Sequence, residues 1–404
     1  MRRINPSAFH VARRATSREI NRQIALNLVR EKQPISRAEL ARVMGMRRGA
    51  VSLLVNQLLE SGQVFEGAKG ESKRGRRPTH LYIDTRRSCT LAVDISASRT
   101  SMLLMDALGH PLGEVTEFPT RRRPSALVKA LVAHMGPILS QPPARGQCVG
   151  IGVAVSGIVD LERGRLKYSP TLGWRDVDLV TPLRAATGLP VVIENSVKAC
   201  ILAQIWAVTG DLPADGPVVF VNISDGVGVG IGIDGKLLRG AHNVAGEFGH
   251  VPLNIHGPAC SCGQRGCWEA YVSKRAITAR YVGSDPGWTG VTEPGGPTVR
   301  EIVARARGGE GRALETLRET AYYIGRGFST LIKSLDPRRV YVGGEITLAW
   351  DLVENTVREA LREQALIPET GETEIRVVPL GENPRLRGAA ALVSAPAFAA
   401  PIVA

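Results

Sequence analysis

Cysteine is scarce in this chain, with six residues in 404. Cys89, Cys148 and Cys200 stand apart in apolar surroundings and read as buried thiols. Nothing resembles a disulfide framework, so a reducing cytoplasm fits. Long apolar runs are missing as well. The N-terminus is charged with no apolar stretch behind it, which leaves no secretory signal. The C-terminal GAAALVSAPAFAAPIVA is uncharged but short, and Pro396 and Pro401 interrupt it. It reads as a last helix with a frayed tail and not as a membrane span. No coiled-coil repeat announces an oligomer. Acidic residues are short in one region only. Residues 1–86 hold 18 Lys and Arg against 7 Asp and Glu, a net +11, whereas the other 318 residues hold 33 and 31, a net +2. The basic character therefore belongs to a small front module, which points to nucleic acid more than to membrane.

The other three cysteines are concentrated. In GEFGHVPLNIHGPACSCGQRGCWE, Cys260, Cys262 and Cys267 fall within eight residues, and His250 stands ten residues before the first. Three thiolates and an imidazole make a closed four-coordinate set that suits a structural Zn²⁺. The C-x-C-x4-C spacing is tighter than that of a zinc finger. Gly257, Pro258, Gly263 and Gly266 supply the turns. The plain alternative is a loop of reduced thiols. Glu247 lies three residues before His250, and Glu269 lies two after Cys267. A metal clip would hold these carboxylates near one another.

The front module reads as three helices. Thr16-x-x-Glu19 is a capping box for the first, with Ile20, Ile24, Leu28 and neighbouring Leu26 and Val29 on its apolar face. Ser36-x-x-Glu39 opens the second, with Leu40 and Val43 inside. Gly45 makes a turn before a third helix at about 47–60, closed by Gly62. This is a helix-turn-helix. Its third helix turns Arg47, Arg48, Ser52 and Asn56 outward, residue types that read guanine and adenine edges in a major groove. VFEGAKGESKRGRRPTHLYI then reads as strand, basic loop and strand, a wing whose Arg74, Arg76 and Arg77 would meet phosphates or a minor groove. The alternative is a solvated basic face on a small helical domain.

Further on, Cys89–Ile95 and Ser101–Asp106 read as one strand pair, and Val218–Ile223 and Gly228–Asp234 as a second. Each pair opens a stretch of alternating strands and helices, as in a duplicated α/β unit with a cleft between its lobes.

GEFGH followed by CSCGQRGCWEA resembles the signature of the ROK family of sugar kinases and sugar-responsive transcriptional repressors. The likeness implies an α/β chain: a winged helix-turn-helix in front of a two-lobed, actin-like ATPase (ribonuclease H-like) sugar-kinase fold. It places the winged module at 1–86 and the first lobe at 87–205, completed by a helix at about 385–398. The second lobe, with the zinc loop, falls at 206–384. It also implies zinc on His250, Cys260, Cys262 and Cys267, and sugar hydroxyls on Asn195, Glu247, His250 and Glu269.

The kinase chemistry of the family is lacking. Its general base is the Asp of an Asn-Asp pair, which aligns with Asn195-Ser196; losing it should cost about 10²–10⁴-fold in rate. Glu194 would project to the opposite side of an extended strand from Asn195. The Asp-x-Gly-Gly-Thr phosphate loop is Asp94-Ile95-Ser96-Ala97-Ser98 here, whose side chains block close approach of phosphate to the amides. In the second loop Asp225 puts a carboxylate where polyphosphate would sit. The chain is thus expected to be no enzyme. The expectation is a cytoplasmic transcriptional regulator, most simply a repressor. It would bind double-stranded operator DNA as a homodimer or homotetramer and sense a carbohydrate or derivative. Its rivals are a bifunctional kinase that still uses ATP, and a regulator with a vestigial pocket controlled by a protein partner.

Overall fold

The computed structural model describes residues 14–69, 77–140, 142, 147–206, 216–287 and 296–398. The front module holds α1 (Arg14–Lys32), β1 (Ile35–Ser36), α2 (Arg37–Val43), α3 (Arg48–Glu60), β2 (Val64–Lys69) and β3 (Thr79–Ile83). The strands form a sheet in the order β1-β3-β2, so a helix-turn-helix is followed by a wing. The second expected capping box is present: Glu39 N–H donates to Ser36 Oγ, and Ser36 N–H donates to the Glu39 carboxylate. The first is not. α1 already begins at Arg14, so Thr16 lies inside it, and Glu19 instead pairs with Arg22 at 2.7 Å. Arg and Ala are good helix formers, which extends the helix past the proposed cap. The apolar face of α1 is inward as expected at Leu26, Leu28 and Val29 but not at Ile24. Ala25, Leu26 and Val29 are buried, while Ile24 is 44% exposed and Val43 of α2 is 50% exposed.

Beyond the module come β4 (Cys89–Ile95), β5 (Arg99–Asp106), β6 (Thr116–Pro119), α4 (Pro124–Ser140) and β7 (Cys148–Val155). A small sheet of β8 (Ile158–Asp160), β9 (Arg165–Ser169) and β10 (Trp174–Asp178) follows, then α5 (Val180–Thr187), β11 (Val191–Asn195) and α6 (Ser196–Trp206). The second half has β12 (Pro217–Ile223), β13 (Val227–Ile233), β14 (Lys236–Leu237), α7 (Glu269–Val272), α8 (Lys274–Val282), α9 (Val299–Arg307) and α10 (Gly311–Leu335). It continues with β15 (Arg339–Gly343), α11 (Trp350–Arg362), α12 (Pro368–Gly371), β16 (Glu374–Val377) and α13 (Pro384–Ser394).

The two large sheets are built to one plan. The first runs β11-β7-β4-β5-β6 and the second β16-β15-β12-β13-β14. In each, a central strand pairs antiparallel with its hairpin partner and parallel with a later strand. This is a duplicated α/β unit, the two-lobed actin-like sugar-kinase architecture behind a winged helix. The pattern follows from the residues: the central parallel strands are continuous apolar runs buried on both faces.

α6 and α13 join the parts. A Cβ added at Gly388 of α13 would lie 2.0 Å from the Ala199 carbonyl oxygen of α6, and one at Gly152 of β7 would lie 1.8 Å from the Ala389 oxygen. Backbone meets backbone at both places. The far end of α6 supports the front module. Ala25, Leu26 and Val29 share one apolar cluster with Leu108, Trp206, Ala391 and Phe398. The Arg30 guanidinium lies 4.6 Å from the Trp206 ring centre and donates to the Trp206 carbonyl. Gln23 and Asn27 side chains donate to the Ala397 and Phe398 carbonyls, each at 2.8 Å.

Gly388→Val should therefore lower stability by about 2 kcal/mol or more, because rigid backbone must move to admit it. Gly381→Ala, where nothing lies within 4 Å of an added Cβ, is the control and should stay within about 0.5 kcal/mol of the parent in urea denaturation.

Candidate ligand pocket and metal centre

The metal centre is built by turns. His250 ends a short 3-10 turn at Phe248–His250, and the cysteines sit on a loop closed by bridges between Pro252 and Cys267 and between Ala259 and Arg265. One donor atom from each of His250, Cys260, Cys262 and Cys267 lies within 4.8 Å of the other three, a set that could hold a metal ion. His250 Nδ1 is 3.5 Å from Cys260 Sγ, and Cys262 Sγ is 3.7 Å from Cys267 Sγ. All four residues converge as their spacing predicts. Burial pushes the Cys260 thiol well above its ordinary range and the Cys267 thiol up to about 11. A bound cation would displace those protons. Of the isolated cysteines, Cys89 and Cys200 are buried, but Cys148 is only half-buried.

Beside the metal set lies a cavity of about 250 Å³ between the lobes, lined by Asn195, Ser196, Glu247, His250 and Glu269. The four sequence-predicted sugar residues thus share one pocket. Glu269 begins α7 and links two loops of the second lobe: it accepts from Val227 N–H at 3.0 Å and Ser261 Oγ at 2.9 Å. It braces the metal loop and the second phosphate-type loop at once. Burial raises the Glu247 carboxyl, while His250 and Lys198 pull it down. Asn195 is held differently from expectation. Its Oδ1 accepts from the amides of Val197 and Lys198 at the start of α6, and its Nδ2 donates to Gly157 O at 2.8 Å. That leaves one amide hydrogen for a ligand.

Three features bear on phosphoryl chemistry. Ser196 opens α6 on the cavity wall, with no carboxylate in its place. Glu194 is fully buried and bonded to Arg239 at 2.9 Å and to its own neighbour's amide at 2.8 Å. It does not line the cavity. Both phosphate-type loops carry carboxylates paired with internal cations: Asp94 with Arg385 at 2.8 Å, and Asp225 with Lys274 at 2.7 Å. Burial pushes Asp94 up to about 6 against the pull of Arg385.

Sequence reasoning missed these cations. Arg385 lies on α13, 291 residues from Asp94, and no local spacing connects them. It also missed a clasp across the cleft. Lys198 is 1% exposed and bonds Asn243 Oδ1 at 2.9 Å, and Asn243 in turn donates to Val159 O at 2.9 Å. A buried Lys one turn into an apolar helix was the available signal. A second cavity of about 350 Å³ shares Thr171, Asp225, Ser261 and Glu269 with the first and adds Trp174, Arg121 and Arg122.

In the front module Arg47, Arg48 and Asn56 are exposed and Ser52 is half-buried. Asn56 Oδ1 accepts from Arg37 at 2.9 Å, and Arg37 pairs with Glu66 of the wing at 3.0 Å. Arg77 is exposed at the base of the wing, and Arg74 and Arg76 lie outside the described residues.

Similar proteins fit this anatomy. A match to the ROK family covers residues 90–395. The chain is 26% identical over 377 residues to a xylose repressor of Bacillus subtilis, across 93% of this chain and 95% of that one. It is 30% identical over 283 residues to a glucokinase of Streptomyces coelicolor, across 68% and 87%. Its fold is similar to a solved ROK family transcriptional regulator, a homolog of the E. coli MLC protein, with a TM-score of 0.75 at 23% identity over 94% of this chain and 97% of that one. With a family match over most of its length and a winged helix in front, this chain belongs to the ROK family.

Proposed function

We propose that this protein is a transcriptional repressor that binds operator DNA through its winged helix and senses a carbohydrate in the cleft. One observation carries the reading: α6 starts at the cavity with Ser196 and ends at Trp206 against Arg30 of the winged module. An 11-residue helix spans about 16 Å. A ligand that moves the first turn of α6 therefore moves the seat of the DNA-binding module. For this to act as a switch, the ligand must favour one arrangement of the lobes over the other. The full-length likeness to a xylose repressor supports a sugar effector and operator DNA as partners.

In this reading Glu247, Glu269 and His250 take ring hydroxyls, and Asn195 mainly holds the start of α6. The adjoining cavity leaves room for a substituent on the sugar. Arg47, Arg48, Ser52 and Asn56 face the major groove, and Arg77 with Arg74 and Arg76 contacts the backbone. Half-sites imply a homodimer or homotetramer. No helix among the described residues is long and apolar enough to cross a membrane, which accords with a cytoplasmic regulator.

The reading makes the chain no enzyme. The internal pairs Asp94–Arg385 and Asp225–Lys274, with Ser196 at the base position, leave neither a general base nor an open anion cradle. The purified chain should bind duplex DNA, with affinity that falls steeply as salt rises. A sugar that raises its melting temperature should change that affinity. In a coupled ATP assay with glucose, xylose and N-acetylglucosamine, turnover should be at least about 10²-fold below that of a kinase of the family. Ordinary kinase turnover, or indifference to duplex DNA at low salt, would overturn the proposal.

We assign the metal as structural Zn²⁺. A tetrahedral ion with Zn–S bonds of about 2.3 Å holds its sulfurs about 3.8 Å apart, close to the 3.7 Å between Cys262 and Cys267. Elemental analysis should find about one zinc per chain, and Cys262→Ser should lose it and lower the melting temperature. Folded protein without metal would contradict the assignment.

A further inference from the structure

The outward face of α3 is apolar at its centre. At about 100° per residue, Val51, Leu54, Val55 and Leu58 point together into the core, and all four are buried. The opposite direction belongs to Gly49, Leu53 and Asn56. Leu53 is 62% exposed. One turn before it, a Cβ added at Gly49 would have nothing within 4 Å, so the helix surface there is open backbone. Asn56, one turn after it, is drawn aside by Arg37 and through it to the wing. Arg47 and Arg48 flank the start of the helix, both exposed.

Single exposed leucines are common on protein surfaces. This one stands at the middle of the helix face that the net +11 of the front module would press into DNA. Among base edges in the major groove, the apolar group is the thymine 5-methyl. The missing side chain at Gly49 lets the helix come close enough for Leu53 to reach it.

We propose that Leu53 is a specificity-determining residue of the DNA interface, packing against the methyl group of a thymine in the major groove. The proposal rests on the DNA-binding reading above and refines it.

The test uses the full chain and duplexes it selects from a random pool. Each thymine is replaced in turn by uracil, which removes the methyl alone, and affinity is read by fluorescence anisotropy at fixed salt. For the parent chain, uracil at a defined thymine should weaken binding about fourfold, the worth of one buried methyl. Leu53→Ala should bind the thymine duplex as the parent binds the uracil duplex, and should lose nothing further on uracil replacement. Its melting temperature should match the parent's, because the side chain is exposed. Uracil without effect on the parent would overturn the proposal, as would equal losses in both chains. So would a changed molecular mass of Leu53→Ala with its thymine dependence intact, which would make the face a contact between copies. If no duplex is enriched and none binds at low salt, the DNA-binding reading itself fails and takes this one with it.

Discussion

The backbone contact between α13 and α6 is the constraint on which the other parts depend. Gly388 lets the two helices approach until carbonyl oxygen meets Cα. α13 also lies on β4 and β7 of the first sheet, so the last helix of the chain closes the first lobe. Because α6 is gripped along its length, its two ends move together. One end is the pocket wall, capped by Asn195, and the other is the Trp206 seat of Arg30. A loosely packed α6 would absorb a ligand's push within its own side chains. A close-packed one transmits it.

The loop that carries the candidate metal ligands acts as the second brace. Its donors come from one stretch of 18 residues, His250 to Cys267, and Glu269 follows at once. Glu269 then accepts from the Val227 amide at the start of β13, within the same lobe. A kinase would use that loop geometry to hold phosphate. Here Asp225 and Lys274 neutralise each other in it, and Arg385 does the same for Asp94 on the other loop. In this reading the fold keeps the lobes and cleft of a kinase while its own ion pairs fill the nucleotide's electrostatic role. Each pair lies within one lobe, so each loop is neutralised from inside its own lobe.

Much of this was legible in the sequence. The four candidate metal ligands are close in the chain, so spacing alone brought them together. The two strand hairpins and the helix-turn-helix follow from local periodicity and turn residues. The Ser36–Glu39 capping box is local too, and it is present as read. What stayed hidden is long-range. Arg385 meets Asp94 only when the last helix returns to the first lobe, and Lys198 meets Asn243 only across the cleft. Of the α1 apolar face, Ile24 alone is exposed, for the same reason. Periodicity marks an apolar stripe, but α1 packs against its own module and against Trp206 and Phe398 together, which turns Ile24 outward. The Thr16 cap failed because Arg14 and Ala15 favour helix upstream of it.

The central claim is that the cleft and the winged module are mechanically one piece through α6. Amide hydrogen exchange with and without a saturating sugar ligand tests it most directly. The account predicts altered protection at residues 224–228 and, in the same experiment, in α6 and at residues 23–30 of α1. Altered protection confined to the cleft, with α6 and α1 exchanging as before, would contradict it.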